Sequence, residues 1–503
     1  MSNALPLSSS QSRLLANSDS EDSKLPLEEL QSLASSAGLS LDPNHVDDWR
    51  TLLGSMDDKI TSILAEEDFT LTPDLALYPR TDICIPTGPV ETDKGGWATR
   101  CVAKATNPKS ELLKGKTVAL KDNIALAGVR CTNGTDAVPW TPSIDATVAT
   151  RIMDASGTIL GKAACESACM QGCSDSSSTG PVHNPFADGY SCGGSSSGSG
   201  RLVATGQVDL AVGGDQGGSI RIPASMCGIV GLKPTWGLVP YSGILSLEST
   251  IDHAGPMARS CEDAALLLEA IAGPDGIDDR QPPFLPPGTL NFTQQVASIS
   301  SNPNSKPLSG VNIGLLSESF SLPCMSPAIA ALVRRAAEQF TALGAELHEF
   351  SIPQHTTAAS LWSSSLYISG GRTALLNAPE GRKQLHLLDR PVLSQLPQQA
   401  WEKLGAGAQQ LYLGHLYMKS KFLEKGIHGK CTNLLRRLDV TFPLPSPSLP
   451  PLPPANTWIE CLLPRSHASR YPPDSDSALL AQQNHVRPAG PAGAADAEFG
   501  TGE

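Results

Sequence analysis

The chain has 503 residues, enough for one large or two to three ordinary domains, and its 40% hydrophobic content is ample for a core. A formal charge of −13 argues against a nucleic-acid or anionic-membrane partner, since either would call for a clustered excess of Lys and Arg. No stretch approaches the roughly 18 to 20 uninterrupted apolar residues of a membrane helix, and the Ser-rich, acidic N-terminus has no signal-peptide core, so a soluble cytoplasmic protein is expected.

Residues 1–24 are polar and low in complexity and are expected to be disordered. A helical extension is predicted over residues 25–73. Asp42 before Pro43 reads as an N-cap with proline in the first turn, and Val46, Trp49, Leu53, Ile60 and Ile63 then recur at helical spacing. That helix should pair with residues 27–33, and its apolar face leaves two uses open, packing on the core or a homodimer contact.

Over residues 74–440 short β-like runs alternate with helical segments, the signature of an α/β sheet enclosed by helices. Strands are predicted at Thr117–Lys121, 158–162, 313–316 and 346–352, and helices at 146–155, 262–271 and 328–343. Residues 441–503 begin with a Pro, Leu and Ser run and show no useful periodicity, so a disordered tail is expected there.

Twelve scattered cysteines in such a chain read as reduced thiols rather than a disulfide framework. Cys165, Cys169 and Cys173 are spaced to share one helix face, where small apolar thiols would simply pack; a zinc site would need a fourth ligand from another element.

Three segments carry candidate chemistry. Lys121 ends an apolar strand and is followed by Asp122 and Asn123. Alone it would be an ordinary surface lysine. The run Gly193-Gly194-Ser195-Ser196-Ser197-Gly198-Ser199-Gly200 could be a flexible linker, but it leads straight into apolar residues inside the α/β pattern. It also fits G-x-S-x-G, yet Asn184 to Gly189 precede it where a nucleophile elbow needs a hydrophobic strand. The third segment is Gly213-Gly214-Asp215-Gln216-Gly217-Gly218-Ser219-Ile220-Arg221-Ile222-Pro223. Glycines ahead of Ser219 let the backbone turn its N–H groups toward a developing oxyanion, and the lysine of a phosphate loop is missing.

These three segments, followed by Cys227-Gly228-Ile229-Val230-Gly231-Leu232-Lys233-Pro234-Thr235, resemble the amidase signature family. The likeness is nearest to stand-alone bacterial and fungal amidases, including those that act beside nitrile hydratases, and covers roughly residues 25 to 440. It implies a large mixed β-sheet enclosed by α-helices, with a small helical N-terminal extension. It also implies that Ser219 is the nucleophile, that Ser195, 24 positions earlier, is the family's cis-peptide serine, and that Lys121 is the base. By the same resemblance the N–H groups of Gln216, Gly217, Gly218 and Ser219 form the oxyanion hole, and Asp215 with Arg221 is a structural ion pair.

Such a set implies an amidohydrolase that cleaves a small carboxamide to acid and ammonia through an acyl-enzyme, with no metal or organic cofactor. A serine hydroxyl needs a base within hydrogen-bond reach, and a lysine serves as one only in its neutral form. His253, before Ala254-Gly255-Pro256, suggests a Ser-His-Asp triad less well, since the Lys-Ser-Ser set is complete without it. Two other readings stand beside the amidase: one of the glutamine-hydrolysing chains of an amidotransferase, and a catalytically impaired relative acting in binding or assembly. The second follows from the tail, where 442–458 resembles the family's loop into its last strands and residues from Ile459 onward do not; an altered ending of this kind is expected to expose core surface.

Overall fold

The computed structural model describes residues 24–439, apart from 287, 301–305, 324, 379–381 and 423–424. The expectations for residues 1–23 and 440–503 lie outside the described residues. The chain divides into two compact units at Thr70 and Leu71.

In the first unit, helices Leu27–Ser36 and Val46–Ala65 are joined through a 3-10 turn at Pro43–His45. Asp42 caps that turn by accepting from the Asn44 N–H at 2.9 Å, so the Asp-Pro signal marks the turn that opens the helix rather than the helix itself. Reciprocal bonds between Leu25 and Arg50, Leu25 N to Arg50 O at 3.0 Å and Arg50 Nε to Leu25 O at 2.8 Å, hold the chain's entry to this unit.

The second unit is built on a seven-stranded mixed sheet in the order β1-β2-β4-β3-β5-β7-β6. Its strands are β1 (Arg80–Cys84), β2 (Trp97–Ala103), β3 (Thr117–Lys121), β4 (Thr158–Ala163), β5 (Leu210–Gly214), β6 (Val230–Gly231) and β7 (Ala254–Ala258). At its centre β3 runs parallel to both β4 and β5, with the helices Thr147–Asp154 and Ser197–Ala204 in the intervening connections. β5 and β7 are buried throughout, as strands covered on both faces must be.

The two-residue period of the strands sorts their side chains between two cores. Val118, Leu120, Leu210 and Val212 join one large apolar cluster with the helices Thr147–Asp154 and Cys261–Ile271. Ala119 and Ala211 point the other way, toward Leu202 and Val203 of the helix Ser197–Ala204. Lys121, two residues after Ala119, shares that second face. The small residues there let the helix come close. Gly198 donates its N–H to Ala164 O at 2.9 Å, and a Cβ at Gly198 would lie 2.3 Å from Gly96 O.

The strands predicted further along, β8 (Asn312–Leu316) and β9 (Glu346–Phe350), pair with each other in a separate two-stranded parallel sheet and do not extend the seven-stranded one. The segment 165–173 is not a helix. It leaves β4 through a 3-10 turn at Ser167–Cys169 in which Ala168 (φ 49°) and Cys169 (φ 57°) are left-handed, so the three cysteines do not line a helix face. Among the described residues no group of three or more His, Cys, Asp or Glu side chains is gathered as a metal would require, and no helix is long and apolar enough to cross a membrane.

Candidate active site

Three chain segments meet at the C-terminal ends of β3 and β5, where loops of a parallel sheet ordinarily build sites. Lys121 is the last residue of β3, and the chain turns sharply after it, with Ile124 N bonding back to Lys121 O at 3.0 Å. The glycine-serine run precedes the helix Ser197–Ala204, and the loop carrying Ser219 follows β5 directly.

Lys121 is fully buried, and its Nζ donates to Ser195 Oγ at 2.8 Å and to Gly214 O at 3.4 Å. The Gly194–Ser195 peptide bond is cis. Lys162, also fully buried, pairs with the carboxylate next to Lys121 in the chain: Asp122 Oδ1 accepts from Lys162 Nζ at 3.2 Å, and its other oxygen accepts from Thr132. No carboxylate among the described residues pairs with Lys121. The Cys169 thiol lies against it and is drawn below its ordinary range, first by its hydrogen bond with Cys165, against burial, and further by Lys121 and Ser195.

The serine loop and the loop carrying Ser219 are stitched together. Ser196 N donates to Ser219 O at 3.2 Å, and Ser196 Oγ bridges the carbonyl and N–H of Gly214 at 3.2 Å each. Ser219 itself is half-buried, and its hydroxyl bonds to no protein group among the described residues. The Lys121–Ser195 link is therefore made, whereas the Ser195–Ser219 link is not; such contacts often tighten only when substrate is bound.

Asp215 organises the loop carrying Ser219. Its carboxylate accepts from Arg221 Nε at 2.9 Å and Nη2 at 3.0 Å, from Gly218 N at 2.8 Å and from Ile220 N at 3.2 Å. Burial pushes this carboxyl upward, and Arg221 and the two N–H groups outweigh it to hold it below the ordinary range. The Gly218 N–H is thus committed to Asp215 rather than free for an oxyanion. The N–H groups of Gln216, Gly217 and Ser219 have no acceptor among the described residues.

Three groups at the site left no signal in the sequence. Trp362 donates its Nε1–H to Gln216 O at 2.7 Å and lies over Gly217, where a Cβ would come within 2.8 Å of the ring. Asp252 and Tyr241, both buried, hold the Gln216 side chain from the other side. None of them belongs to a motif, and all reach the loop across sequence separations that periodicity cannot bridge. His253 lies apart from this chemistry: its ring nitrogens face Ile251 O at 2.8 Å and Lys233 Nζ at 3.4 Å.

Glu166 underlies the serine loop. Its N–H donates to Ser195 O at 3.2 Å, and its carboxylate accepts from Ser197 Oγ at 2.9 Å, Ser176 Oγ at 2.6 Å, Ser176 N at 2.8 Å and Asp175 N at 3.1 Å. Burial raises this carboxyl from 4.5 to about 7 despite those donors. A folded value above the unfolded one means that the stability Glu166 contributes is complete below 4.5 and is lost as pH rises through about 7. His253, pushed down to about 4 chiefly by burial, works in the opposite sense between about 4 and 6.5. Comparison with Glu166→Gln cancels the histidine. Wild-type stability relative to that variant, measured by urea melts, is expected to fall by on the order of 3 kcal/mol between pH 5 and 8.5. A flat difference would exclude a titrating Glu166.

Comparison with known proteins adds the following. A family model described as Amidase matches residues 96–458. An enantioselective amidase from Rhodococcus rhodochrous is 44% identical over 254 residues, 50% of this chain and 47% of that protein. A glutamyl-tRNA(Gln) amidotransferase chain from Haloarcula marismortui is 48% identical over 167 residues, 33% of this chain and 39% of its own. Among solved structures, the peptide amidase from Stenotrophomonas maltophilia superposes with a TM-score of 0.53 at 28% identity, covering 65% of each chain. The chain spans about half the length, or less, of these two curated relatives.

Proposed function

The chain belongs to the amidase family, and on that premise we propose that it hydrolyses a small carboxamide to the carboxylic acid and ammonia, with Ser219 as nucleophile, Ser195 as proton relay and Lys121 as base. The observation that carries this reading is the buried 2.8 Å bond from Lys121 to Ser195 beside a loop that leaves the Ser219 hydroxyl unpartnered among the described residues.

The chemistry follows from those positions. Neutral Lys121 takes the Ser195 proton as Ser195 takes that of Ser219, and Ser219 Oγ adds to the amide carbonyl. The N–H groups of Gln216, Gly217 and Ser219 receive the oxyanion. As the tetrahedral adduct collapses, the C–N bond breaks and the relayed proton goes to the departing nitrogen, which leaves as ammonia. Water, deprotonated through the same relay, adds to the acyl-enzyme and releases the acid and Ser219. The ten described cysteines are free thiols, which supports a reducing, cytoplasmic setting.

Ammonia release from a panel of aliphatic and aromatic carboxamides tests the proposal, with turnover expected for at least one and a folded, inert protein contradicting it. Glutamine belongs in the panel. The resemblance to glutamyl-tRNA(Gln) amidotransferase chains favours a second reading in which glutamine is the amide hydrolysed, and turnover confined to glutamine would select it.

A further inference from the structure

We propose that Asp252 is a positioning residue of this reaction, holding the oxyanion loop in its working shape through the side chain of Gln216. The inference rests on the hydrolase reading above. It concerns the Gln216 side chain and the carboxylate behind it, not the backbone N–H groups to which that reading gives the oxyanion.

Gln216 is only 6% exposed although it sits next to the exposed Gly217 in the middle of the loop. Its amide points inward, where Nε2 donates to Asp252 Oδ1 at 2.9 Å and to Tyr241 Oη at 2.9 Å. Its carbonyl is held on the other side by Trp362 Nε1 at 2.7 Å. Gln216 is thus tethered from both directions, and the N–H groups of Gln216 and Gly217 flank the carbonyl so held.

Asp252 is itself anchored. Its Oδ1 also accepts from Leu247 N at 3.3 Å and Glu248 N at 3.4 Å, its Oδ2 accepts from Ser246 Oγ, and its backbone oxygen accepts from Arg280 Nη1 at 2.8 Å. Arg280 is paired with Asp278 and lies over the Tyr241 ring, 5.1 Å from its centre. Asp252 is thus held at several points, and a loop fastened to it through the Gln216 Nε2 group inherits that anchoring. Donors held in place before reaction cost no reorganisation when the oxyanion forms. Tethering therefore acts on the chemical step more than on ground-state binding.

Gln216→Met removes the tether while keeping the side chain's length and the backbone groups. It is expected to lower kcat by about 10- to 100-fold, below the cost of deleting an oxyanion donor outright, with KM within about threefold of wild type. Asp252→Ala should do the same, and the double variant should be no slower than the worse single one, since both break one link. Asp252→Asn can still present an oxygen to Gln216 and should recover most of the loss. Unchanged kcat in Gln216→Met, or a loss matched by a smaller folded fraction, would overturn the proposal, as would an Asp252→Asn as slow as Asp252→Ala. Hydrogen exchange across residues 215–220 reads the same tether without substrate, so it decides the matter even if wild type turns over no amide tested. Exchange at least about tenfold faster in Gln216→Met supports the tether, and identical exchange refutes it.

Discussion

Ser219→Ala is expected to lower kcat for ammonia release by about 10⁵-fold, because the members of a nucleophile-base unit fail together when the nucleophile is lost. The same substitution should hardly touch stability. The Ser219 hydroxyl is half-buried and bonds to no protein group among the described residues, so its removal orphans nothing and opens no large cavity. Steady-state kinetics beside a thermal melt makes the check. An alanine variant that melts with wild type and keeps more than about a hundredth of its turnover would remove Ser219 from the mechanism.

Lys121 carries the second large effect. Alanine at a fully buried lysine would leave a cavity, so Lys121→Met, which conserves most of the volume, is the cleaner variant. It removes the donor to Ser195 Oγ, while Gly214 O keeps its bond from the Ser196 hydroxyl, a stability cost of about 1–3 kcal/mol. Loss of a positioned general base predicts a kcat lower by about 10³- to 10⁴-fold. Because Lys162 keeps its own Asp122 partner, it is not expected to take over. Retention of a tenth or more of wild-type turnover in a folded Lys121→Met would exclude Lys121 as the base.

How much of this was legible beforehand depends on how local the physics is. β3 is found where a short apolar run ending in lysine places it, and the helix Cys261–Ile271 begins within a residue of its periodic pattern, because burial of one face imposes the period directly. Glycine-rich loops can also be read locally, since close backbone approach leaves little choice of residue at Gly198. Contacts made across the fold are different in kind. Asp252 and Trp362 reach Gln216 over 36 and 146 positions, and no spacing rule links them. The cysteines at 165, 169 and 173 fit a helical period, yet the segment bonds to Asn133 and takes left-handed backbone at Ala168 and Cys169. Periodicity cannot foresee such an override. The loop after β5 shows the same limit: its glycines suggest free N–H groups, but the Asp215 carboxylate claims that of Gly218.

The central claim, that Ser219 is the nucleophile activated through Ser195 by Lys121, is tested most directly by reacting the protein with a fluorophosphonate probe and mapping the adduct by peptide mass spectrometry. The account predicts a single phosphonyl group on the peptide carrying Ser219, formed far more slowly in Lys121→Met and absent in Ser219→Ala. An adduct on another residue, or amide turnover by a protein that the probe leaves unmodified, would contradict it.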